Sequence, residues 1–118
     1  MLLLALAVGY ATKALHDDSS SSSARTTVAL SSLPAEVATT VDRIRAGGPF
    51  PYPRNDGVVF HNNEHHLPRE PDGYYREYTV PTPGSPDRGA RRLIVGRDGR
   101  FWYTSDHYDS FRQVDVHR

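Results

Sequence analysis

Apolar side chains in the first half of the chain recur at the spacing of one α-helix. Four of them follow each other at intervals of four, four and three residues: Leu33, Val37, Val41 and Ile44. This spacing places them on one face of a helix. Ser32 is expected to cap the start of the helix, and Gly47 with the residues after it to end the helix. The pattern therefore predicts one amphipathic helix.

Beyond this helix the pattern changes to short runs rich in β-branched and aromatic residues. Together with a short edge strand before the helix, the expected strands are residues 26–30, 58–60, 74–80, 91–95, 101–104 and 111–116. Turn-forming residues separate them, as in the segment Gly96–Gly99. This order predicts an α+β fold, with one N-terminal α-helix packed on a small antiparallel β-sheet.

The first 24 residues differ in composition from the rest. An apolar run, Met1–Val8, precedes a serine run, Ser19–Ser23. The apolar run is shorter than the roughly 20 residues that cross a bilayer. We therefore interpret residues 1–24 as an export leader and spacer, with Gly9–Ala11 as the cleavage site. The alternative is an uncleaved membrane anchor tethered through the serines. Either interpretation predicts a domain of residues 25–118 outside the cytoplasm, secreted in the first case.

Charge and cysteine content narrow the chemistry that this domain can perform. A chain of 118 residues fits one small domain. Residues 25–118 carry 13 arginines, no lysine and 12 acidic residues, so the domain is nearly neutral. Binding of nucleic acid by a bulk positive field is therefore not expected, and any such contact must be local. The absence of cysteine excludes disulfides, thiol catalysis and Cys-based zinc sites.

Three residue types with complementary chemistry lie on or near consecutive predicted strands. Glu77 lies in mid-strand, where by itself it would also fit a solvated carboxylate paired with an arginine. Arg91 and Arg92 begin the next strand, and side-chain alternation sends one of them to the face of Glu77. His107 follows a third strand and can exchange a proton near neutral pH. A carboxylate base, an arginine and a histidine acid together suit metal-free cleavage of a phosphodiester.

A second group of polar side chains lies between residues 61 and 66. It consists of His61, Glu64, His65 and His66. Imidazole and carboxylate groups bind zinc, but this spacing matches no known zinc motif. The sequence therefore predicts a solvated loop there, with no metal and no cofactor.

Five short segments combine glycine, aromatic and charged residues: Gly48–Tyr52, Asp56–Asn62, Gly73–Val80, Arg88–Arg92 and Asp106–Tyr108. In this order they resemble motifs of the secreted bacterial guanyl-specific ribonucleases related to ribonuclease Sa, within the barnase-like microbial ribonuclease family. The resemblance extends over residues 25–118 and implies the microbial ribonuclease fold. The chain also departs from the best-known member of that family, because Ala29 and Arg118 occupy the positions of that member's terminal cysteine pair. Loss of such a bridge is expected to cost about 2–5 kcal/mol of stability.

The resemblance implies a catalytic and phosphate-binding group of five residues. Glu77 would be the general base, His107 the general acid and Arg92 the arginine that stabilises the transition state. Arg88 and Tyr108 would bind the substrate phosphate.

The resemblance also implies a guanine-binding group: Phe60, His61, Asn62 and Glu64. Backbone amides of this loop and the Glu64 carboxylate would recognise the Watson–Crick edge of guanine, with an aromatic ring stacked on the base. Adenine lacks the two donors that such a carboxylate accepts from, so it would be rejected. The best-known member of that family carries an arginine where this chain has Asn63, and we expect affinity or subsite preference to differ accordingly.

The implied reaction is cleavage of single-stranded RNA on the 3′ side of guanosine, first to a 2′,3′-cyclic phosphate and then to a 3′-phosphate. RNA would be the substrate, a barstar-like protein inhibitor is a candidate partner, and a monomer is the default state. Two alternatives stay open. One is a non-catalytic secreted domain that binds RNA or protein on the same fold. The other is an antibacterial ribonuclease effector.

Overall fold

The computed structural model describes residues 27–118, so the leader and spacer assigned to residues 1–24 lie outside the described residues. A short 3₁₀ helix, Leu30–Ser32, connects the first strand to the helix. The remaining elements, in chain order, are β1 (Thr27–Ala29), α1 (Ala35–Ala46), β2 (Val58–Phe60), β3 (Tyr75–Thr79), β4 (Arg92–Gly96), β5 (Phe101–Thr104) and β6 (Arg112–Asp115). The predicted α+β fold with one N-terminal helix is confirmed. In this part of the chain no helix has the length and apolar character of a membrane span.

The six strands form one sheet in the order β1-β6-β5-β4-β3-β2. Strands β2 to β6 pair in antiparallel fashion, as predicted. The prediction of a wholly antiparallel sheet is wrong at one pair, because β1 runs parallel to β6. Parallel neighbours need a long crossover, and here the helix and the other strands supply it. Ala29 therefore lies opposite Asp115, which also pairs with Arg118 at 2.9 Å, so the two ends of the domain meet.

Helix α1 begins after Pro34, and the predicted cap at Ser32 is wrong. Ser32 belongs to the preceding 3₁₀ helix, where its hydroxyl donates to the carbonyl of Ala29 at 2.7 Å. The predicted end of the helix is confirmed. Gly47 has a φ of 80° and its N–H donates to the carbonyl of Ile44. Glycine adopts this left-handed conformation without the steric penalty of a Cβ.

The sheet has a different apolar cluster on each face. The predicted helical stripe is confirmed, because Val37 and Val41 are buried and Leu33 and Ile44 pack against the same cluster. On the sheet, that cluster contains Val80, Leu93, Phe101, Tyr103 and Val114. The second cluster, on the face away from α1, consists of Leu67, Tyr75, Ile94 and Trp102. This second face also carries the polar side chains of the candidate site.

Candidate active site

Strand register brings Glu77 and Arg92 to the same face of the sheet. Glu77 lies opposite Ile94, and Thr79 lies opposite Arg92. Directly paired residues share a face, as do residues two apart on one strand. Glu77, Thr79 and Arg92 therefore project from the face away from α1. The prediction that one of the two arginines shares the face of Glu77 is confirmed for Arg92.

The hydroxyl of Tyr108 connects these two groups. It donates to Oε1 of Glu77 and accepts a hydrogen bond from Nε of Arg92 at 3.2 Å. Burial raises the pKa of Tyr108, and the Glu77 carboxylate raises it further, while Arg92 partly offsets both effects. The phenol consequently keeps its proton and remains a hydrogen-bond donor at neutral pH.

Two backbone carbonyls fix the position of the Arg92 guanidinium group. Its side chain is 2% exposed, and Nη1 donates to the carbonyls of Gly89 at 3.1 Å and Arg91 at 2.8 Å. Buried charges require such partners because desolvation is costly. Nη2 has no acceptor among residues 27–118. The two N–H donors of this nitrogen are therefore not used within the described residues.

Arg88 contacts Thr79, the residue that pairs with Arg92, and therefore lies at the same end of this face as Arg92. Both Nε and Nη2 of Arg88 donate to the Thr79 hydroxyl, at 3.1 and 3.0 Å, and its guanidinium lies 5.8 Å from the ring centre of Tyr52. The backbone N–H of Thr79 donates to Asp56 at 2.7 Å. Since Thr79 pairs with Arg92, the two arginines form a local positive site suited to a phosphate. Sequence reasoning missed the part that Thr79 has in this arrangement.

His107 and Tyr108 lie in a loop with an uncommon backbone. Their φ angles are 57° and 76°, in the left-handed region that costs non-glycine residues about 1–3 kcal/mol each. Two hydrogen bonds hold this conformation: His107 N–H to the Ala90 carbonyl at 3.0 Å, and Tyr108 N–H to the Thr104 hydroxyl at 3.1 Å. The two rings are 4.9 Å apart, so the imidazole lies beside the phenol that contacts Glu77.

Asp106 organises the same loop. Its Oδ1 accepts hydrogen bonds from the Thr104 hydroxyl at 2.8 Å and the Ser110 N–H at 2.9 Å, and its Oδ2 from the Ser110 hydroxyl at 2.6 Å. These bonds, chiefly those from Ser110, lower the pKa of Asp106 to about 2. Sequence reasoning missed this residue. The available signal was a Thr, Asp and Ser at the spacing of local turns bonded through side chains.

Replacing Asp106 with asparagine is expected to destabilise the domain in a pH-dependent way. The folded pKa lies below the usual value of 3.8, so the carboxylate contributes its full stabilisation above that value and loses it as the pH falls towards about 2. The difference in unfolding temperature between wild type and D106N should therefore shrink over this range in thermal unfolding experiments. The control is D42N, which changes an exposed carboxylate on α1. A difference that stays constant down to about pH 2 would refute this account.

The loop after β2 is shaped by the side chain of Asn62. This residue is buried and has a φ of 54°. Its Nδ2 donates to the Leu67 carbonyl at 3.0 Å, and its Oδ1 accepts from the Leu67 N–H at 3.1 Å. Leu67 is itself buried beside Trp102. The side chain of Asn62 is thus committed within the protein, and only its backbone can face a ligand.

Among the other polar residues in this loop, Glu64 is largely open to solvent. Its side chain is 75% exposed, with Oε1 3.4 Å from Nε2 of His66. His61 instead pairs through Nδ1 with Asp72 at 2.7 Å. Within residues 27–118 no three His, Asp or Glu side chains converge on a point where a metal ion could bind. The backbone N–H groups of Asn63 and Glu64 donate to no acceptor in this part of the chain.

One cleft, of about 340 Å³, brings the two predicted groups together. Phe60 lies on its wall, with its ring stacked on that of Tyr108 at 5.5 Å and 24°. Of the predicted site residues, the cleft is lined by Phe60, His61, Asn62, Glu64, Glu77, His107 and Tyr108. Arg92 and Arg88 are not among its lining residues: Arg92 contacts Tyr108, and Arg88 contacts Thr79, which pairs with Arg92. Glu64 in the loop of residues 61–66 therefore shares one surface with Glu77 and His107.

A carboxylate and an imidazole in one cleft, with two arginines close by, are the groups that an enzyme needs to cleave phosphodiesters by acid–base catalysis. The chain belongs to the ribonuclease family, whose model matches residues 16–115. The predicted family is thereby confirmed.

Its relatives define the family branch more closely. The chain is 55% identical to guanyl-specific ribonuclease St of Saccharopolyspora erythraea over 89 residues, which is 75% of this chain and 87% of the relative. It is 51% identical to guanyl-specific ribonuclease Sa of Kitasatospora aureofaciens over 90 residues, covering 75% of this chain and 93% of the relative. The structure of ribonuclease Sa2 with guanosine-2′-cyclophosphate superimposes with a TM-score of 0.74 at 42% identity, covering 78% of this chain and 97% of that one.

Proposed function

We propose that this protein is a guanine-specific endoribonuclease that cleaves single-stranded RNA on the 3′ side of guanosine. The observation that carries the proposal is the shared cleft, in which Glu64 of the 61–66 loop lies on the same surface as Glu77 and His107. Relatives at 51% and 55% identity are guanyl-specific ribonucleases, and a homologous structure holds guanosine-2′-cyclophosphate. A domain that binds RNA without cleaving it would have no use for a base and an acid in one cleft.

In the first step the 2′-oxygen of guanosine attacks the adjacent phosphorus. Glu77 takes the proton of the 2′-hydroxyl, and His107 gives a proton to the departing 5′-oxygen, so the P–O5′ bond breaks as the P–O2′ bond forms. Arg92 and Arg88 stabilise the charge that develops on the phosphoryl oxygens. Water then opens the 2′,3′-cyclic phosphate to a 3′-phosphate, with His107 as the base and Glu77 as the acid.

Tyr108 changes its hydrogen-bond acceptor when the phosphate binds. Its hydroxyl lies between Glu77 and Arg92, so a phosphate oxygen held by Arg92 would lie next to the same hydroxyl. The hydroxyl then donates to this oxygen in place of Glu77. The carboxylate is thereby released to accept the 2′-hydroxyl proton.

Guanine is recognised by the loop of residues 61–66. The two oxygens of Glu64 accept hydrogen bonds from N1–H and the 2-amino group, and the backbone N–H groups of Asn63 and Glu64 donate to O6. Phe60 provides an aromatic face for the base. Asn62 acts through its buried side chain, which fixes the conformation of the loop. His61 borders the site, and its ring is paired with Asp72.

The products of GpU turnover test this reaction. Phosphorus NMR of the reaction mixture should show guanosine 2′,3′-cyclic phosphate first and 3′-GMP later, because the cyclic ester is the product of the first step. Direct appearance of 3′-GMP without the cyclic ester, or release of a 5′-phosphate, would refute the assignment of the 2′-oxygen as nucleophile.

Residues 1–24 are proposed to direct the domain out of the cytoplasm as a cleaved leader, with a membrane anchor as the alternative. Outside the cytoplasm the enzyme would meet RNA as a monomer, and a barstar-like inhibitor is the candidate protein partner. A mature protein in the culture medium that begins after Ala11 would support secretion. Full-length protein in the membrane fraction would support the anchor instead.

A further inference from the structure

A second, smaller cleft lies beside β3 and β4, and the strand side chains that line it project from the face opposite Glu77. Its volume is about 180 Å³, and its principal lining residues are Tyr74, Arg76, Tyr78, Val95 and Arg97. Arg76 is the neighbour of Glu77 on β3 and pairs with Val95, so alternation places the two side chains on opposite faces. The sheet therefore separates Arg76 from Glu77, whereas the Tyr74 ring lies at the margin of the cleft and packs against the cluster of the catalytic face.

The two arginines of this cleft are exposed and have no acidic partner. Nη1 of Arg76 donates to the carbonyl of Gly57 at 3.1 Å, and Nη2 of Arg97 donates to that of Gly73 at 3.4 Å. Among the described residues neither guanidinium lies within ion-pair distance of a carboxylate, whereas Arg100 does. Each guanidinium carries five N–H donors. Most of their donors and their full charge are therefore available to a ligand.

Within residues 27–118 the nearby carboxylates form no ion pair with Arg76 or Arg97. Asp98 is bound to Arg100 at 2.6 Å. Both oxygens of Asp56 accept backbone hydrogen bonds, from Tyr52 at 3.0 Å and from Thr79 at 2.7 Å. In a domain that is nearly neutral overall, two exposed arginines without an ion-pair partner in this part of the chain, around one cleft, favour the binding of an anion.

The tyrosines of the cleft provide fixed aromatic surfaces. The Tyr74 ring contacts the ring of buried Tyr75 edge-on at 5.0 Å, and Tyr78 contacts Phe50 at 5.3 Å. The guanidinium of Arg97 lies 5.7 Å from the ring centre of Tyr74. Single-stranded nucleic acids are bound by this combination, in which bases stack on aromatic rings and arginines bind the phosphates.

We propose that Tyr74, Arg76, Tyr78 and Arg97 form an auxiliary site for single-stranded RNA, which binds a part of the polymer away from the cleaved bond. The proposal takes its ligand class from the proposed function. Strand β3 carries Glu77 on one face and Arg76 on the other, and only the edge strand β2 lies beyond it. RNA that extends from the catalytic cleft therefore passes only strand β2 before it reaches the opposite face of the sheet.

The test compares substrates of different length in the double variant R76Q/R97Q. For GpU, which is too short to reach the auxiliary site, kcat/KM should equal that of wild type. For an RNA of about 12 nucleotides with one guanosine, kcat/KM should fall about 3- to 10-fold through KM. The salt dependence of kcat/KM on this RNA should also weaken by about 1.4 in log–log slope, since each single-strand phosphate contact contributes about 0.7. The matched control is R45Q/R112Q, which removes two exposed arginines that line neither cleft.

Each contrary outcome overturns the proposal. Equal losses on GpU and on the longer RNA would show that the substitutions act through the catalytic cleft. Equal losses in R45Q/R112Q would show an effect of net charge alone, and no loss on the longer RNA would show that the surface binds no substrate. Unfolding temperatures of both variants show whether the fold is retained.

A binding measurement keeps this test separate from the proposed function. Oligodeoxythymidylate of the same length lacks both guanine and the 2′-hydroxyl, so it cannot be cleaved by the proposed reaction. In NMR titrations it should shift the resonances of Tyr74 and Tyr78 in wild type and not in R76Q/R97Q. If the protein is inactive on GpU but still shows these shifts, the proposed function is refuted and the auxiliary site is supported. Absence of the shifts in wild type would refute the site.

Discussion

Replacement of Glu77 by glutamine should lower kcat for GpU about 10²- to 10⁴-fold with little change in KM, the loss usual for a general base. An amide has no basic oxygen that can take the 2′-hydroxyl proton. Glutamine has nearly the same size, and its carbonyl can still accept the hydrogen bond from Tyr108. The fold should therefore be retained, so the loss reports on proton transfer. Steady-state kinetics of E77Q give the result, with E70Q, an exposed carboxylate outside the cleft, as the control.

The pH dependence of kcat/KM separates this catalytic role from a structural one. Cleavage needs Glu77 ionised and His107 protonated at the same time, which gives wild type a bell-shaped profile. E77Q should lose the rise on the acid side while keeping the fall on the alkaline side. A low-activity variant that keeps both limbs would indicate a structural role for Glu77, and wild-type kcat in E77Q would refute the mechanism.

Replacement of Glu64 by glutamine should lower kcat/KM for GpU about 100-fold, because hydrogen bonds to a charged group contribute about 1.5–3 kcal/mol each. The side-chain amide nitrogen of glutamine is a donor and would face the donors of guanine. ApU makes neither hydrogen bond, so its kcat/KM should change little. Glu64 is 75% exposed, and its substitution should leave the unfolding temperature close to that of wild type.

The ratio of kcat/KM for GpU to that for ApU is the measurement that decides the role of Glu64. The expected result is a collapse of this ratio in E64Q and its preservation in E70Q. An equal fold loss of kcat/KM on both substrates would show that Glu64 acts in catalysis or folding and not in guanine recognition.

Periodicity predicted those parts of the fold that depend on residues close in sequence. The helical spacing of Val37 and Val41 predicted their burial, and alternation along two adjacent strands predicted that one of Arg91 and Arg92 shares a face with Glu77, which the structure shows to be Arg92. It could not predict that β1 pairs with β6 in parallel. The partners, Thr27 and Gln113, lie at opposite ends of the domain, and a short strand carries no sign of its direction.

The positioning of the site residues depends on contacts that periodicity does not report. The left-handed backbone of His107 rests on a hydrogen bond to Ala90, and the orientation of Arg88 rests on the hydroxyl of Thr79. Asn62 was expected to bind guanine, yet its side chain is buried within its own loop. Residue types and motif order thus indicated the chemistry, whereas the supporting hydrogen bonds had to be read from the folded chain.

Turnover of GpU, ApU and CpU by the wild-type protein in excess chelator is the most direct measurement of the central claim, which is guanine-specific cleavage by protein groups alone. H107A serves as the comparison, because it removes only the proposed acid. We predict efficient cleavage of GpU that is unaffected by the chelator, much slower cleavage of ApU and CpU, and a large loss of GpU turnover in H107A. Activity abolished by the chelator, equal rates on the three dinucleotides, or full activity in H107A would contradict the account.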